Sequence, residues 1–443
     1  MTRRLTLLAS VGLAVFLLIA LFVGTAQVRP VVNTGGILNA ASYALNGMPN
    51  EGVAQGAMFV VFGRNLGPGN LMMAPRFPLS TELGGASIRV TVGGATVNAI
   101  PIYTSAVQAA AILPSSTPLG DGTLTVSYDN MTSAPVRIRV VRTSLGVFTR
   151  NQAGAGPAII QNYNSAGDQP VNSILEAARP GQVMILWGTG LGPVTFDETV
   201  PPQAKDLDVP VEVMAGTKAA QVLYKGRSPE FPGIDQINFQ LPSDVELGCY
   251  VPLAVRAGGI LSNFGSIAIA SDSKVCSDPH GLPASELARL RAGGTLNLGE
   301  VQLYRLNIKG NLAPFGAVEG GVDFGFGDFF RWNAATAVSS FGINPAVQLP
   351  LGTCTVCQGL QERFTLIGAL RPNRLNVGPV LNLMGPKGLK VLPRRAGSGL
   401  YDRQPIGAWS RPSIIPPSLT TYLEPGSYTC LLYTSPSPRD RTR

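Results

Sequence analysis

Few side chains in this chain could do chemistry: one histidine and five cysteines, with carboxylates scattered among them. A Ser-His-Asp or Cys-His hydrolase would have to be built around His280, which lies in a linker-like run containing Pro and Gly. The sequence has no Gly-x-Ser-x-Gly segment to present an activated serine. We therefore predict no catalytic residues and no enzyme activity, although catalysis by two carboxylates distant in sequence stays open.

Cys354-Thr-Val-Cys357 is a closely spaced cysteine pair. A redox pair needs its first thiol at a helix N-terminus, and a zinc knuckle needs two further ligands. Neither context accompanies this motif. The pattern favours a structural disulfide, or cysteines whose pairing is lost by truncation near Cys430, over a redox or zinc site. It predicts no metal and no cofactor, and it leaves the pairing of these three cysteines open.

Two other cysteines flank the end of one β-rich segment. Cys249 enters a predicted strand, and Cys276 follows that segment's final strand, 267–270. In a β-sandwich these positions come together at one end, and cysteines in an exported chain are disulfide candidates first. We predict a Cys249–Cys276 disulfide.

Aromatic residues cluster after residue 323, with Phe329, Phe330 and Trp332 at the end of the cluster. The pattern favours core-forming side chains. The alternative is a carbohydrate-stacking platform made by these three rings, with Asp323 and Asp328 as its polar groups.

A duplication positions these groups. Residues 55–68 and 180–193 both contain a glycine, a short apolar run and Gly-x-x-Leu-Gly-Pro, and a second matching motif follows each at nearly the same offset. Such ordered matches indicate a repeated domain. The Gly-rich segment lacks the Gly-Lys-Ser/Thr ending of a phosphate-binding loop, so we expect a structural corner after a strand, with glycines at positive φ. The predicted corner residues are Gly63, Leu66, Gly67, Pro68, Gly188, Leu191, Gly192 and Pro193.

Composition favours an all-β fold. The chain has 52 Gly and 36 Pro, and short β-branched runs alternate with turn residues. Strands about ten residues apart suggest β-sandwiches. We expect one sandwich over 36–142, a second over 145–272 and a third, β-rich, truncated domain over 276–430, entered by a short helix capped by Ser285.

The two ends of the chain have special compositions. Residues 1–26 have a charged start, a long apolar stretch and a small-residue exit, which predicts a signal peptide or, if uncleaved, an anchor. Residues 431–443 look like non-native read-through. Without the charges of both ends the net charge falls from +8 to about +4, which is too little to indicate nucleic-acid binding.

Several motifs resemble one family. The segments 37–43, 62–68, 83–94, 187–193 and 233–238 are similar to an uncharacterised Solibacter-type C-terminal domain family of exported bacterial proteins. The resemblance implies tandem Ig-like sandwiches, similar to IPT/TIG domains, and no established activity. The first repeat departs from it, because Gln108-Ala-Ala110 stands where the second repeat has Gln236-Ile-Asn238.

The expected function is that of an exported, non-catalytic binding or structural protein in cell-surface adhesion or matrix contact. Its expected location is extracellular or on the cell surface, in the periplasm or on the outer surface of a Gram-negative bacterium. Its partner would be an unknown surface protein or glycan, with no nucleic acid, and with membrane contact only through the N-terminal segment. The alternative is a carbohydrate-binding or carbohydrate-active protein in which the sandwiches are accessory modules.

Overall fold

A computed structural model describes residues 28–150, 152, 154–272, 274–277, 283–312, 316–334, 374–411, 422–424, 427 and 429–432. In this part of the chain there are 29 strands and one short helix, which confirms the predicted all-β class. The helix is too short to cross a bilayer. The predicted signal over residues 1–26, His280, Cys354, Cys357 and the tail from 433 onward lie outside the described residues, as does the side chain of Cys430.

The first sandwich has two sheets facing one core. One sheet runs in the order β1-β3-β9-β8-β4 and the other in the order β2-β12-β10-β6-β5, with β7 and β11 as hairpin partners of β6 and β10. Its first strand starts before residue 36, the predicted start. The strands are Val31–Asn39 (β1), Val53–Ala54 (β2), Met58–Arg64 (β3), Met72–Met73 (β4), Glu82–Leu83 (β5), Ala86–Val92 (β6), Ala95–Asn98 (β7), Ile100–Thr104 (β8), Gln108–Ile112 (β9), Gly120–Tyr128 (β10), Met131–Thr132 (β11) and Val136–Val141 (β12).

The second sandwich repeats this connectivity in the order β13-β16-β20-β19-β18-β21-β23-β14, with β15, β17 and β22 beside β16, β19 and β21. The strands are Gly146–Val147 (β13), Gly156–Pro157 (β14), Ile160–Tyr163 (β15), Val183–Thr189 (β16), Lys205–Asp206 (β17), Val211–Ala215 (β18), Lys218–Arg227 (β19), Asp235–Gln240 (β20), Gly248–Ala257 (β21), Ile260–Leu261 (β22) and Gly265–Ile269 (β23). The two repeats differ at β19, a single strand that pairs with both β18 and β20, whereas the matching run of the first repeat is split into β7 and β8.

The register of the repeats matches residue by residue. Phe62 pairs with Gln108 in the first sandwich, and Trp187 pairs with Gln236 in the second. Alternation along the strands fills each core, as in β6, where Ile88 and Val90 are fully buried and Arg89 between them is exposed. Phe62 and Trp187 therefore occupy equivalent positions near the ends of β3 and β16.

The third region begins with the helix Ala284–Arg291 (α1). We predicted that Ser285 caps it, and this is wrong: the N-cap is two residues earlier, at Pro283, and no side chain caps the helix. Proline fits there because its backbone has no N–H to satisfy. The strands that follow are Leu296–Leu312 (β24), Gly316–Trp332 (β25), Val380–Gly385 (β26), Gly388–Pro393 (β27), Tyr401–Arg411 (β28) and Thr429–Leu432 (β29), in sheets β24-β25-β28 and β27-β26-β29.

A disulfide joins the second sandwich to the start of this third region. Cys249 and Cys276 are bonded, as predicted, with Cα atoms 5.2 Å apart. Leu287 and Leu290 of α1 pack with both cysteines in one buried cluster. The bond therefore lies under the helix, between two parts of the chain.

Candidate functional site

The aromatic platform suggested by the sequence does not exist as a surface. Phe329, Phe330 and Trp332 are only 8%, 3% and 3% exposed. Phe330 and Trp332 pack against α1, whereas Phe329 packs with Leu381 and Tyr401 on the other side of the sheet. Neighbouring residues of a strand point to opposite faces, and here both faces are covered. The rings form core, as the sequence pattern favoured, and the alternative of a stacking platform at these three residues is wrong.

Asp323 and Asp328, the polar groups of that hypothesis, are structural ion pairs. Asp323 is fully buried and accepts two hydrogen bonds from Arg305, at 2.6 and 3.0 Å, and two from the backbone N–H groups of Tyr422 and Leu423. Burial acts to raise the pKa of Asp323, but these hydrogen bonds outweigh it and hold the pKa below its ordinary value. Asp328 pairs with Arg374 at 3.1 Å.

Replacing Asp323 should lower the stability of the third region. We expect Asp323→Asn to cost roughly 1.5–3 kcal/mol at pH 7, because it weakens hydrogen bonds between charged groups. The lowered pKa means that the stabilisation is present above the ordinary carboxyl pKa and is lost as the pH falls through the folded-state value. Urea unfolding of both proteins from pH 7 to pH 3 should show the difference shrinking with acid. A constant difference would contradict this role.

The predicted corner residues occupy equivalent places in the two repeats. Leu66 and Leu191 are both buried in their own cores. Gly63 and Gly188 lie against the carbonyl oxygens of Val31 and Gly146, so a Cβ at either position would collide with the backbone. The expectation of positive φ was therefore wrong for Gly63 and Gly188, which are needed for close approach.

Positive φ occurs elsewhere in the corners, at Asn65, Gly190 and Gly192. Gly190 and Asn65 hold equivalent positions, and both residue types tolerate this conformation. Gly67 is packed against Ser105 without positive φ, and Pro68 and Pro193 follow the last corner glycines.

The corner of the second sandwich carries a buried ion pair at its junction with the first sandwich. Asp235 is fully buried, accepts hydrogen bonds from the N–H groups of Gly190 and Leu191 at 2.6 and 2.7 Å, and pairs with Arg227. Arg227, 3% exposed, also donates to the carbonyl oxygen of Gly56 in the first sandwich at 2.7 Å. A buried cation needs such complete pairing. The corner and the first sandwich therefore share one polar network.

Two further groups of contacts close this junction, which we call the joint. Asn39 donates to the carbonyl oxygens of Ser144 and Thr189 at 3.0 Å each, and the N–H of Met58 donates to the Thr189 hydroxyl at 2.8 Å. Such hydrogen bonds fix the direction in which the second sandwich leaves the first.

Glu198 closes the other side of the joint. Its carboxylate accepts hydrogen bonds from the N–H and hydroxyl of Ser115 at 2.6 and 3.0 Å. The same hydroxyl accepts from the N–H of Val194 at 2.9 Å. Burial raises the pKa of Glu198 despite these hydrogen bonds and the attraction of Arg227. The two sandwiches are thus joined through charged and polar groups, and Phe148 of the second sandwich also packs against a buried apolar cluster of the first.

The far end of the second sandwich repeats the surface used by the joint. By the matched registers, Asn39, Gly56 and Met58 of the first sandwich correspond to Asn162, Gly181 and Val183 of the second. These last three line a cleft of about 830 Å³, which we call the distal cleft. Its lining is completed by Tyr163, Asn164, Asp168, Glu176, Ala177, Arg179, Pro180, Gln182, Ser271, Asp272 and Lys274.

The distal cleft is polar, with nearly balanced charge. Glu176 is paired with Lys274 and with Arg291, both at 2.9 Å. Gln182 donates to the Asn164 side-chain oxygen at 2.7 Å, and Asn164 donates to the Asp168 carboxylate at 2.9 Å. Tyr163 beside them is 40% exposed. Among the described residues no group of three or more His, Cys, Asp or Glu side chains could hold a metal ion.

Sequence reasoning missed both the joint and the distal cleft. The sequence did contain one clue to the joint: the segment Gly233-Ile-Asp-Gln-Ile-Asn238, which follows the corner motif along the chain, includes Asp235. Asp235 accepts hydrogen bonds from two backbone N–H groups of the corner, which explains why the corner motif and this segment occur together in the second repeat.

No family model and no curated protein matches this chain. The resemblance to the Solibacter-type family therefore stays a prediction. Among solved structures the chain is similar to the plexin A4 extracellular region, with 14% identity and a TM-score of 0.20, covering 58% of this chain and 19% of that one. It is similar to domains 5–6 of the S-layer protein SbsC, with 14% identity and a TM-score of 0.19, covering 55% and 100%. It is also similar to SGBP-B from a complex xyloglucan utilization locus in Bacteroides uniformis, with 12% identity and a TM-score of 0.19, covering 91% and 86%.

Proposed function

We propose that this protein is an exported, non-catalytic binding or structural protein, acting in cell-surface adhesion or contact with extracellular matrix. The observation that carries the proposal is the joint. A fully paired buried ion pair and several inter-sandwich hydrogen bonds make the two sandwiches one body, which suits a part that holds a binding surface at a fixed distance.

Two other observations support this proposal. The Cys249–Cys276 disulfide suits an oxidising, extracytoplasmic compartment, in agreement with the N-terminal signal expected from the sequence. The buried carboxylates Asp235, Asp323 and Asp328 are each bound to an arginine, so their charges already have a structural use. The alternative of a sugar site in the third region loses its three aromatic candidates, because they are buried.

An adhesion assay on the full exported protein tests the proposal. Beads coated with the protein should adhere to isolated bacterial envelopes and to extracellular matrix material, and beads carrying heat-denatured protein should not. In parallel, polysaccharide, ester and peptide substrates should show no turnover. Turnover abolished by a single Asp→Asn or Glu→Gln change would overturn the proposal, and so would an absence of adhesion to every surface.

A further inference from the structure

We propose that the distal cleft binds a neutral oligosaccharide, with Tyr163 as its stacking face and Asn164, Asp168 and Gln182 as its hydrogen-bonding row. This assignment deepens the function proposed above and rests on it, since it names the ligand of the surface that the joint holds in place.

Repeat symmetry explains why this end of the molecule has a concave surface. In the first sandwich the equivalent end receives the corner of the second sandwich, at Asn39, Gly56 and Met58. In the second sandwich the corresponding Gly181 and Val183 line the open cleft instead. Asn162 is buried at its base, where its side chain donates to the carbonyl oxygen of Glu176 and accepts from Asn172. A surface shaped to receive another body is therefore left free for a ligand.

The cleft's charge selects the class of ligand. The lining has three carboxylates and two cations, and Arg291 pairs with one of those carboxylates from outside the lining. A phosphate or a nucleic acid would need a clear excess of positive charge. A lipid chain would need an apolar lining, whereas this one consists mainly of amides, hydroxyls and charged groups. A neutral, hydroxyl-rich ligand fits both constraints.

The polar row is already held in place before any ligand arrives. Gln182 accepts a hydrogen bond from the N–H of Arg179 at 2.9 Å and donates to Asn164, which in turn donates to Asp168. Carboxamide and carboxylate groups have more donor and acceptor positions than this chain of bonds uses, and adjacent sugar hydroxyls can bond to such groups. Preorganised side chains also lose less entropy when a ligand binds.

Tyr163 supplies the apolar part of the contact. Tyr163 is the last residue of β15 and pairs with Val183 of the cleft wall, and its side chain is partly exposed. The C–H face of a sugar ring can pack on such a ring while the phenol hydroxyl stays in contact with water. The cleft volume also lies within the roughly 300–1,000 Å³ that is typical of ligand sites.

A second copy of this chain is the other occupant that symmetry suggests, and the residues disfavour it. The corner that fills the joint presents Arg227 paired with Asp235. The first sandwich's corner has Val107 at the position equivalent to Asp235, directly before Gln108, so a second copy would bring no such ion pair to the cleft.

The test uses the full exported protein on an array of short neutral glucans, xylans, mannans and galactans, followed by calorimetry with the best probe. We expect binding that Tyr163→Ala weakens by about tenfold or more, as the loss of an aromatic contact predicts. Asn164→Ala should also weaken it, whereas Tyr128→Ala in the first sandwich should leave it unchanged. Far-ultraviolet circular dichroism and urea unfolding should show all three variants folded.

Three results would overturn the assignment: no binding to any neutral probe at millimolar concentration, binding that Tyr163→Ala leaves intact, or self-association in analytical ultracentrifugation that Tyr163→Ala abolishes. The last result would identify a second copy as the occupant. If the glycan array is negative and beads coated with the Tyr163→Ala variant still adhere, the cleft assignment is wrong but the proposed function is unaffected. Catalytic turnover would instead sink the proposed function.

Discussion

Asp235→Ala should destabilise the protein by about 3–5 kcal/mol, the cost of leaving one partner of a buried ion pair without the other. The change leaves the Arg227 guanidinium buried and removes the acceptor for the N–H groups of Gly190 and Leu191. Because Arg227 also donates a hydrogen bond to the carbonyl oxygen of Gly56, the substitution should destabilise the joint as well as the corner.

Urea unfolding followed by tryptophan fluorescence measures the effect, since Trp187 lies at the end of the strand that enters this corner. Asp235→Asn keeps the side-chain shape and one acceptor oxygen, so its free energy of unfolding should lie between those of Asp235→Ala and the native protein. Asp244→Ala is the matched control. Its carboxylate is 66% exposed and paired with Lys218, and surface ion pairs contribute little to stability. A loss for Asp235→Ala no larger than for the control would contradict the joint's role.

The double variant Cys249→Ser, Cys276→Ser should lose about 3–4 kcal/mol. The bond closes 27 residues of chain, and the chain-entropy model gives that magnitude for such a loop. The loss should appear first in α1, because Leu287 and Leu290 pack in the same buried cluster as the two cysteines.

Replacing both cysteines avoids leaving one reactive thiol, and the native protein is the reference in the same buffer without reductant. Hydrogen exchange of the amides of α1 would report the local effect, and urea unfolding would report the total. Mass spectrometry that finds Cys249 and Cys276 as free thiols in the protein purified without reductant would contradict the pairing itself.

Local patterns were enough to predict the strands and the duplication. Buried strands such as Met58–Arg64 and Val183–Thr189 have apolar runs bounded by turn residues, and the ordered motifs revealed the repeat. The cysteine pairing could also be predicted, because Cys249 lies at the start of β21 and Cys276 follows the last strand of the same sandwich.

The joint and the distal cleft depend on contacts that no local pattern records. The cleft gathers Tyr163, Gln182 and Lys274 from three separate stretches of chain. The joint pairs Gly56 with Arg227, 171 residues away. The burial of Phe330 and Trp332 likewise depends on α1 lying over that face of β25, which the aromatic spacing alone cannot show.

The rigidity of the joint is the claim on which the rest depends, and native-state amide hydrogen exchange tests it directly. The N–H groups of Met58, Ser115 and Val194 donate across the joint to Thr189, Glu198 and Ser115. If the two sandwiches form one body, these three amides should exchange as slowly as the core amides of Val60 and Val61, since both would open only in large-scale unfolding. Exchange of the three joint amides many-fold faster than that of the strand core would show that the sandwiches separate, and would contradict the account.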